Sequence, residues 1–284
     1  MSESDLQALE YLVARDQLRP LSGLATTALL HNDHRWVLVI LAWAQENKIL
    51  PRPCDLVMLD YHSDGNPSIA LDSEDGLAAI AQCRRTGSIA DAIVLCDKHL
   101  RPDDGDWVKA GMEIGSIRHT VAFGVETREK DTIYTDRADQ QHQFWVISHI
   151  GDALAWQGRL SDAHYRSSYQ PLWDILAWDP PNFTRADRHL AFSIDLDYFA
   201  VHAGYLDCTF PWPQAVYERQ FSSPSIAPTT RGYTAQTFLN GILSQSALVT
   251  IAREPAYCGG EAECDQIFGD VNRWLFGNAI SITR

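Results

Sequence analysis

Residues Leu56–Pro67 read LVMLDYHSDGNP. Four apolar residues run into Asp60, His62 and Asp64 at every second position, and Gly65-Asn66-Pro67 stops the segment. A short, continuous apolar run bounded by turn residues is the pattern of a strand buried on both faces, the kind a parallel sheet requires. In an open α/β sheet, ligands bind beyond the carboxyl ends of the strands, so polar residues crowded at such a tip mark a candidate site. Strand geometry points residues i, i+2 and i+4 the same way, so the three side chains converge if the chain stays extended through His62.

Further apolar runs recur along the chain: Ala92–Leu95, Thr120–Gly124, Phe144–Ile147, Leu190–Ile194 and Leu248–Ile251. With Leu56–Leu59 they form six strand candidates. Between them the spacing predicts helices over Arg35–Glu46, Ser73–Arg85 with Ser73 as N-cap, Ala235–Leu243, and Cys264–Phe276 with Gly277 as C-cap. Alternating strands and helices predict an α/β fold, a three-layer sandwich with a mostly parallel central sheet. No internal repeat or Gly/Ser linker divides the 284 residues, so residues 1–284 are expected to form a single domain. Two stretches, Ser161–Arg188 and Tyr205–Tyr233, lack a clear period and read as long excursions.

Two more clusters stand at element ends. FSIDLDYF, Phe192–Phe199, carries Asp195 and Asp197 two apart among apolar neighbours. Carboxylates placed there repel one another and lack water, so one protonates unless a cation is present. HNDHRW, His31–Trp36, puts His34 at a helix start. The bland account is Asp33 as an N-cap and His31 as a solvated turn residue. Four aspartates with a minority of imidazole suit a hard or borderline divalent ion such as Mn²⁺, and the absence of cysteine argues against structural zinc. Five or six ligands exceed the need of one tetrahedral ion and suit two ions about 3.5–4 Å apart.

Composition narrows the classes further. The formal net charge of −14 disfavours nucleic acid, whose phosphates reward a basic face, and suits a cationic partner. The first twenty residues are acidic and helical in pattern, without the start of a signal peptide. No stretch approaches the roughly 20 uncharged apolar residues that span a bilayer, so no membrane partner and a cytoplasmic location are expected. The six cysteines are scattered and read as reduced core thiols, with Cys258 and Cys264 as the one local pairing to check.

Taken in order, Asp33-His34, Asp60-x-His62-x-Asp64 and Ser193-x-Asp195-x-Asp197 resemble the three metal-binding motifs of the arginase and deacetylase superfamily. The forms DHRW, LDYHSD and SIDLDYF are similar to the peptide arginase branch, which converts arginine side chains in ribosomal peptides to ornithine. The resemblance implies an arginase-like fold and a dinuclear Mn²⁺ site. His34, Asp60, Asp64 and Asp195 would hold one ion and Asp60, His62, Asp195 and Asp197 the other. It implies hydrolysis of arginine, most simply of an arginine-containing peptide, to ornithine and urea by a metal-bridging hydroxide, with Asp64 relaying the proton.

The family places a substrate-gripping glutamate on a later strand end. Glu254, after the run Leu248–Ile251, is the candidate, and Glu261 the reserve; a helix-start role or a surface ion pair is the alternative for either. His99, placed by the run before it at a strand tip, is a candidate proton carrier, with a plain surface histidine as its alternative. The loop Asp64–Gly76 lacks the histidine that arginases of free arginine carry there, which disfavours the free amino acid as substrate. Two rivals remain: a deacetylase or another guanidino or amidino hydrolase on the same core, and a metal-stabilised binding protein without turnover.

Overall fold

The computed structural model describes residues 18–62, 64–102, 105–123, 132–147, 190–203, 208–222 and 234–282. Its centre is a nine-stranded sheet. The strands are β1 (Leu18–Ser22), β2 (Thr27–His31), β3 (Cys54–Leu59), β4 (Ile117–Phe123), β5 (Thr132–Thr135), β6 (Gln141–Ile147), β7 (Leu190–Asp195), β10 (Ser246–Ala252) and β11 (Ser281–Ile282). A separate hairpin joins β8 (Ala200–Ala203) to β9 (Cys208–Pro211).

The order across the sheet is β11-β1-β2-β10-β7-β3-β4-β6-β5. The six strands from β2 to β6 pair in parallel, and antiparallel strands close both edges. The chain runs from β3 outward through β4 and β6, then returns to lay β7 on the other side of β3 and β10 beyond it. The crevice between β3 and β7 is therefore a topological switch point, the place where open α/β sheets bind ligands.

Strands β3 and β7 are buried at every position, as their unbroken apolar runs require. One face of the sheet, through Val57, Phe123, Phe192, Ile194 and Ile251, packs on α5 (Gln214–Ser222), α6 (Ala235–Gln245) and α8 (Glu261–Phe276). The other, through Leu56, Met58 and Leu248, packs on α1 (Val37–Glu46), α2 (Glu74–Thr86), α3 (Ile89–His99) and α4 (Trp107–Glu113). A short turn of helix, α7 (Pro255–Cys258), follows β10. The caps fall where expected: Ser73 Oγ accepts the N–H of Gly76, and Gly277 ends α8 at φ 59°.

Three expectations are corrected. Ala92–Leu95 is not a strand but the middle of α3. Ser88 caps this helix through the N–H of Asp91, and Ile89, Ala92, Leu95 and Cys96 form a buried stripe at helical spacing. Short apolar runs do not separate helix from strand by period alone. Leu18–Pro20, read with the helical N-terminus, lies in β1, where pairing with β2 overrides local pattern. The Arg35–Glu46 helix begins as a 3-10 turn, His34–Trp36, before α1. Met1–Gln17, Gly124 and the excursion Ser161–Arg188 lie outside the described residues, whereas Tyr205–Tyr233 contributes β9 and α5.

Among the described residues no helix is long and apolar enough to cross a membrane.

Candidate metal centre

Four adjacent strands, β2, β10, β7 and β3, deliver the candidate residues from their carboxyl ends. Beyond β2, Asp33 accepts the N–H of Arg35 and caps the 3-10 turn, which fixes the direction of His34. The capping account of Asp33 therefore holds, and His34 is oriented by it. His31 is no solvated turn residue; it is 1% exposed, stacks 6.1 Å from the His34 ring and contacts the carbonyl of Asp33 through Nδ1 at 2.9 Å.

Beyond β3 the chain leaves the extended conformation at once. Asp60 Oδ1 accepts the N–H of His62 at 2.7 Å, the short-range bond by which aspartate builds turns, and Asp64 sits at φ 51°. The expected convergence by strand alternation is thus replaced by a tight turn. It brings the same three side chains toward the switch point. Beyond β7, Asp195 Oδ1 accepts the N–H of Asp197, closing another 3-10 turn.

His34 Nδ1 lies 2.8 Å from Asp64 Oδ2, 3.2 Å from Asp60 Oδ2 and 3.2 Å from Asp195 Oδ2. A single ring nitrogen carries at most one proton, so it cannot satisfy three carboxylate oxygens. Both His34 Nδ1 and Asp60 Oδ2 are buried and make no well-aligned hydrogen bond. His62 Nδ1 lies 2.9 Å from Asp197 Oδ2, and its side chain is the exposed member of the set at 47%. Two groups could therefore hold an ion: His34, Asp60 and Asp195, and Asp60, His62 and Asp197, with the donor atoms of each within 4.8 Å of one another. Asp60 is common to both. Asp64 touches the first group through His34 but belongs to neither trio.

The electrostatics follow from this crowding. Burial, then the negative charge of Asp64, pushes the Asp60 carboxyl well above its usual range. Burial and Asp197 do the same to Asp195. Burial opposes a positive charge on His34, but the charge of Asp64 and the closeness of three carboxylates to its ring outweigh it and raise its pKa well above 6.5. Burial likewise opposes charge on His62, yet Asp197 raises it to about 9. Asp64 runs the other way: burial would raise it, but His34 and the indole N–H of Trp107 hold it below the usual carboxylate range. Without a cation the carboxylates are relieved only by protons on themselves and on the two histidines, and a bound cation inverts that logic.

Glu254 follows β10 in the left-handed conformation, φ 41° and ψ 62°. Its Oε1 accepts the N–H of His34 at 2.7 Å, so the strand end places it beside the cluster. Burial and the charge of Asp195 push its carboxyl up to about 10. Glu261 points elsewhere: its side chain is 73% exposed and pairs with Arg253 Nη2 at 2.8 Å, as does Asp265 at 2.6 Å. His99 is the last residue of α3, so the strand-tip position on which its proton-carrying role rested does not exist.

The sequence assigns no role to several supporting residues, Ser193 of the S-x-D-x-D motif among them. Ser193 Oγ lies 2.8 Å from His34 Nε2 and accepts the hydroxyl of Thr250 at 2.9 Å, both within buried strands. Polar residues inside the runs Leu190–Ile194 and Leu248–Ile251 were the signal for that pair. Trp107, which donates to Asp64 Oδ2, offered none beyond its place after an acidic, glycine-containing loop. Cys258 and Cys264 are not bridged; both thiols donate to the carbonyl of Arg253, at 3.0 and 2.9 Å.

No family model and no curated protein matches the chain. Among solved structures, the crystal structure of Helicobacter pylori arginase is similar, with 14% sequence identity and a TM-score of 0.35 over 88% of this chain and 73% of that one.

Proposed function

We propose that the protein is a Mn²⁺-dependent hydrolase that converts arginine, chiefly arginine within a peptide, to ornithine and urea, with a place in the maturation of ribosomal peptides. The observation that carries this reading is the sharing of Asp60 between two carboxylate and histidine groups, one fully buried and one with His62 exposed, at the switch point of the sheet. The three-motif resemblance to the arginase and deacetylase superfamily agrees with it, as do helices on both sheet faces, which suit one arginase-like, three-layer domain.

The donor set fits two divalent cations. Its atoms are carboxylate oxygen and imidazole nitrogen, no cysteine joins either group among the described residues, and His34 Nδ1 and Asp60 Oδ2 are buried polar atoms without a well-aligned hydrogen bond. His34, Asp60 and Asp195 would hold one ion; Asp60, His62 and Asp197 the other; Asp64 would complete the first set. When bound, such a pair would supply a water whose lowered pKa makes it a nucleophile at neutral pH.

The chain's own residues do the rest. The carboxylate of Glu254 would grip the substrate guanidinium, a charge-assisted pairing that gives orientation and selects against neutral amides. Burial and the neighbouring aspartates burden Glu254 with a proton; bound cations and a guanidinium would offset those negative charges and favour its ionised form. Asp64, held ionised by His34 and Trp107, is suited to accept a proton from the attacking water and pass it to the departing amine. Ser193 and Thr250 fix the His34 ring from behind. The net charge of −14 favours a cationic peptide over an anionic one.

The reading is tested by loading the protein with Mn²⁺ and assaying urea and ornithine from arginine peptides. Asp195→Asn and His62→Ala are expected to abolish turnover while the circular dichroism spectrum stays that of the wild type. Turnover retained in either variant removes the dinuclear mechanism.

A further inference from the structure

Trp107 opens α4 beside Asp64 and His34. Its indole N–H donates to Asp64 Oδ2, and its ring centre lies 4.9 Å from that of His34. One buried side chain thus touches both residues whose polar atoms meet at 2.8 Å.

The backbone around it closes on the same target. The N–H of Val108 donates to the carbonyl of Asp64 at 3.3 Å, and the carbonyl of Gly105 accepts the N–H of Asn66 at 3.2 Å. Gly105 has φ +55°, and a Cβ there would lie 2.4 Å from Asp64 Oδ1 and 2.9 Å from its Cα. Residues 105–108 therefore wrap Asp64 while it sits at φ 51°, a conformation a non-glycine keeps only where its surroundings over-determine it.

We infer that Trp107 is a positioning residue for the metal centre: by holding Asp64 and packing on His34, it sets the geometry of the His34 half of the site and not of the His62 half. His62 packs instead on Tyr61 and Tyr257, at 5.1 and 5.5 Å between ring centres. The inference rests on the metal reading above and adds an asymmetry to it. Outer partners of ligating residues fix their orientation, and their loss typically lowers metal affinity about 10–100-fold. Here that loss falls on one ion of two.

The test replaces Trp107 with 3-benzothienylalanine, which keeps the shape of indole but puts sulfur where the N–H was, and in parallel with Phe. Each full-length protein is titrated with Mn²⁺ while free ion is followed by electron paramagnetic resonance. Wild type is expected to bind two ions. The benzothienyl variant is expected to lose about 10–100-fold in affinity for one of them and to hold the other within about twofold. Trp107→Phe is expected to match it wherever it folds; the shape-preserving variant keeps the test decisive where it does not. A purely structural role for Trp107 would lower the melting temperature without separating the ions. Two ions bound as in wild type, or equal loss for both, overturns the inference. A wild type that binds no Mn²⁺ removes the metal reading and this inference with it.

Discussion

The carboxylate of Glu254 accepts the backbone N–H of His34 at 2.7 Å, tying the end of β10 to the turn that presents the first imidazole. The bond uses one oxygen and needs no charge. The charge that Glu254 would carry beside bound cations and a guanidinium is therefore free for a different task, and the strained backbone at φ 41° holds the side chain where that task would be done.

Glu254→Gln separates the two roles, because an amide oxygen still accepts the N–H of His34 while the charge is lost. With a guanidinium substrate, kcat/KM is expected to fall about 10–150-fold, the equivalent of a charged hydrogen bond of about 1.5–3 kcal/mol. Mn²⁺ binding should remain. Unchanged kcat/KM on a guanidino substrate, or robust activity of both forms on an acylated amine, would favour the deacetylase-like alternative.

Asp195→Asn is expected to stabilise the metal-free protein. The Asp195 carboxyl is raised above its unfolded value of 3.8, so the stability it contributes is full below that value and is lost as pH rises toward its folded pKa. At pH 8 the wild type without metal bears this cost, and the variant does not. For a chain of this size each kcal/mol relieved shifts the melting temperature by about 2–4 °C. Added Mn²⁺ at a hundred times its Kd should then stabilise the wild type by about 2.7 kcal/mol and leave the variant nearly unmoved. Scanning calorimetry with and without chelator reads both signs at once.

His31 supplies a pH dependence of its own. Burial, reinforced by the neighbouring His34, lowers its pKa from 6.5 to about 3. A lowered base is stable in its neutral form, so the contribution is full above pH 6.5 and is lost as pH falls toward 3. The slope is about 1.4 kcal/mol per pH unit across that window. Asn at this position can keep the bond to the Asp33 carbonyl without titrating. The stability difference between wild type and His31→Asn in chelator, measured by urea unfolding from pH 7.5 to 4.5, should therefore shrink as the solution is acidified. A difference independent of pH would show that His31 is not held neutral.

The thiols are expected to be inert in the folded chain. Cys54, Cys83, Cys96, Cys258 and Cys264 are buried, and burial pushes Cys54 and Cys83 up to about 12. Thiolate is the reactive form, so a disulfide reagent should modify at most one of the six cysteines rapidly at pH 8 in native protein and all six in urea. Rapid modification of several would contradict the packing of both cores.

The central sheet was legible because its strands are buried on both faces and so carry unbroken apolar runs, as in Leu56–Leu59 and Leu190–Ile194. The same signal misled at Ala92–Leu95, where a capped helix presents a run of equal length, and it was silent for Leu18–Ser22, a strand near the sheet edge with only Leu18 and Leu21 buried. The acids and histidines of the cluster were legible as motifs, since short spacings survive whatever turn the chain takes. Their route into the site was not: Asp60 and Asp64 converge through a turn bonded from Asp60 to His62, which no strand alternation describes. Trp107 and Thr250 were invisible because contacts between residues 43 and 57 positions apart from their partners leave no local pattern.

The most direct test of the account is mass spectrometry of an arginine-containing peptide mixture, with free arginine included, after incubation with the Mn²⁺-loaded protein. The account predicts ornithine in place of peptide arginine and release of urea, with free arginine untouched and with no reaction by Asp195→Asn. Peptides and free arginine both unchanged, in a preparation shown to hold two Mn²⁺ ions, would contradict it.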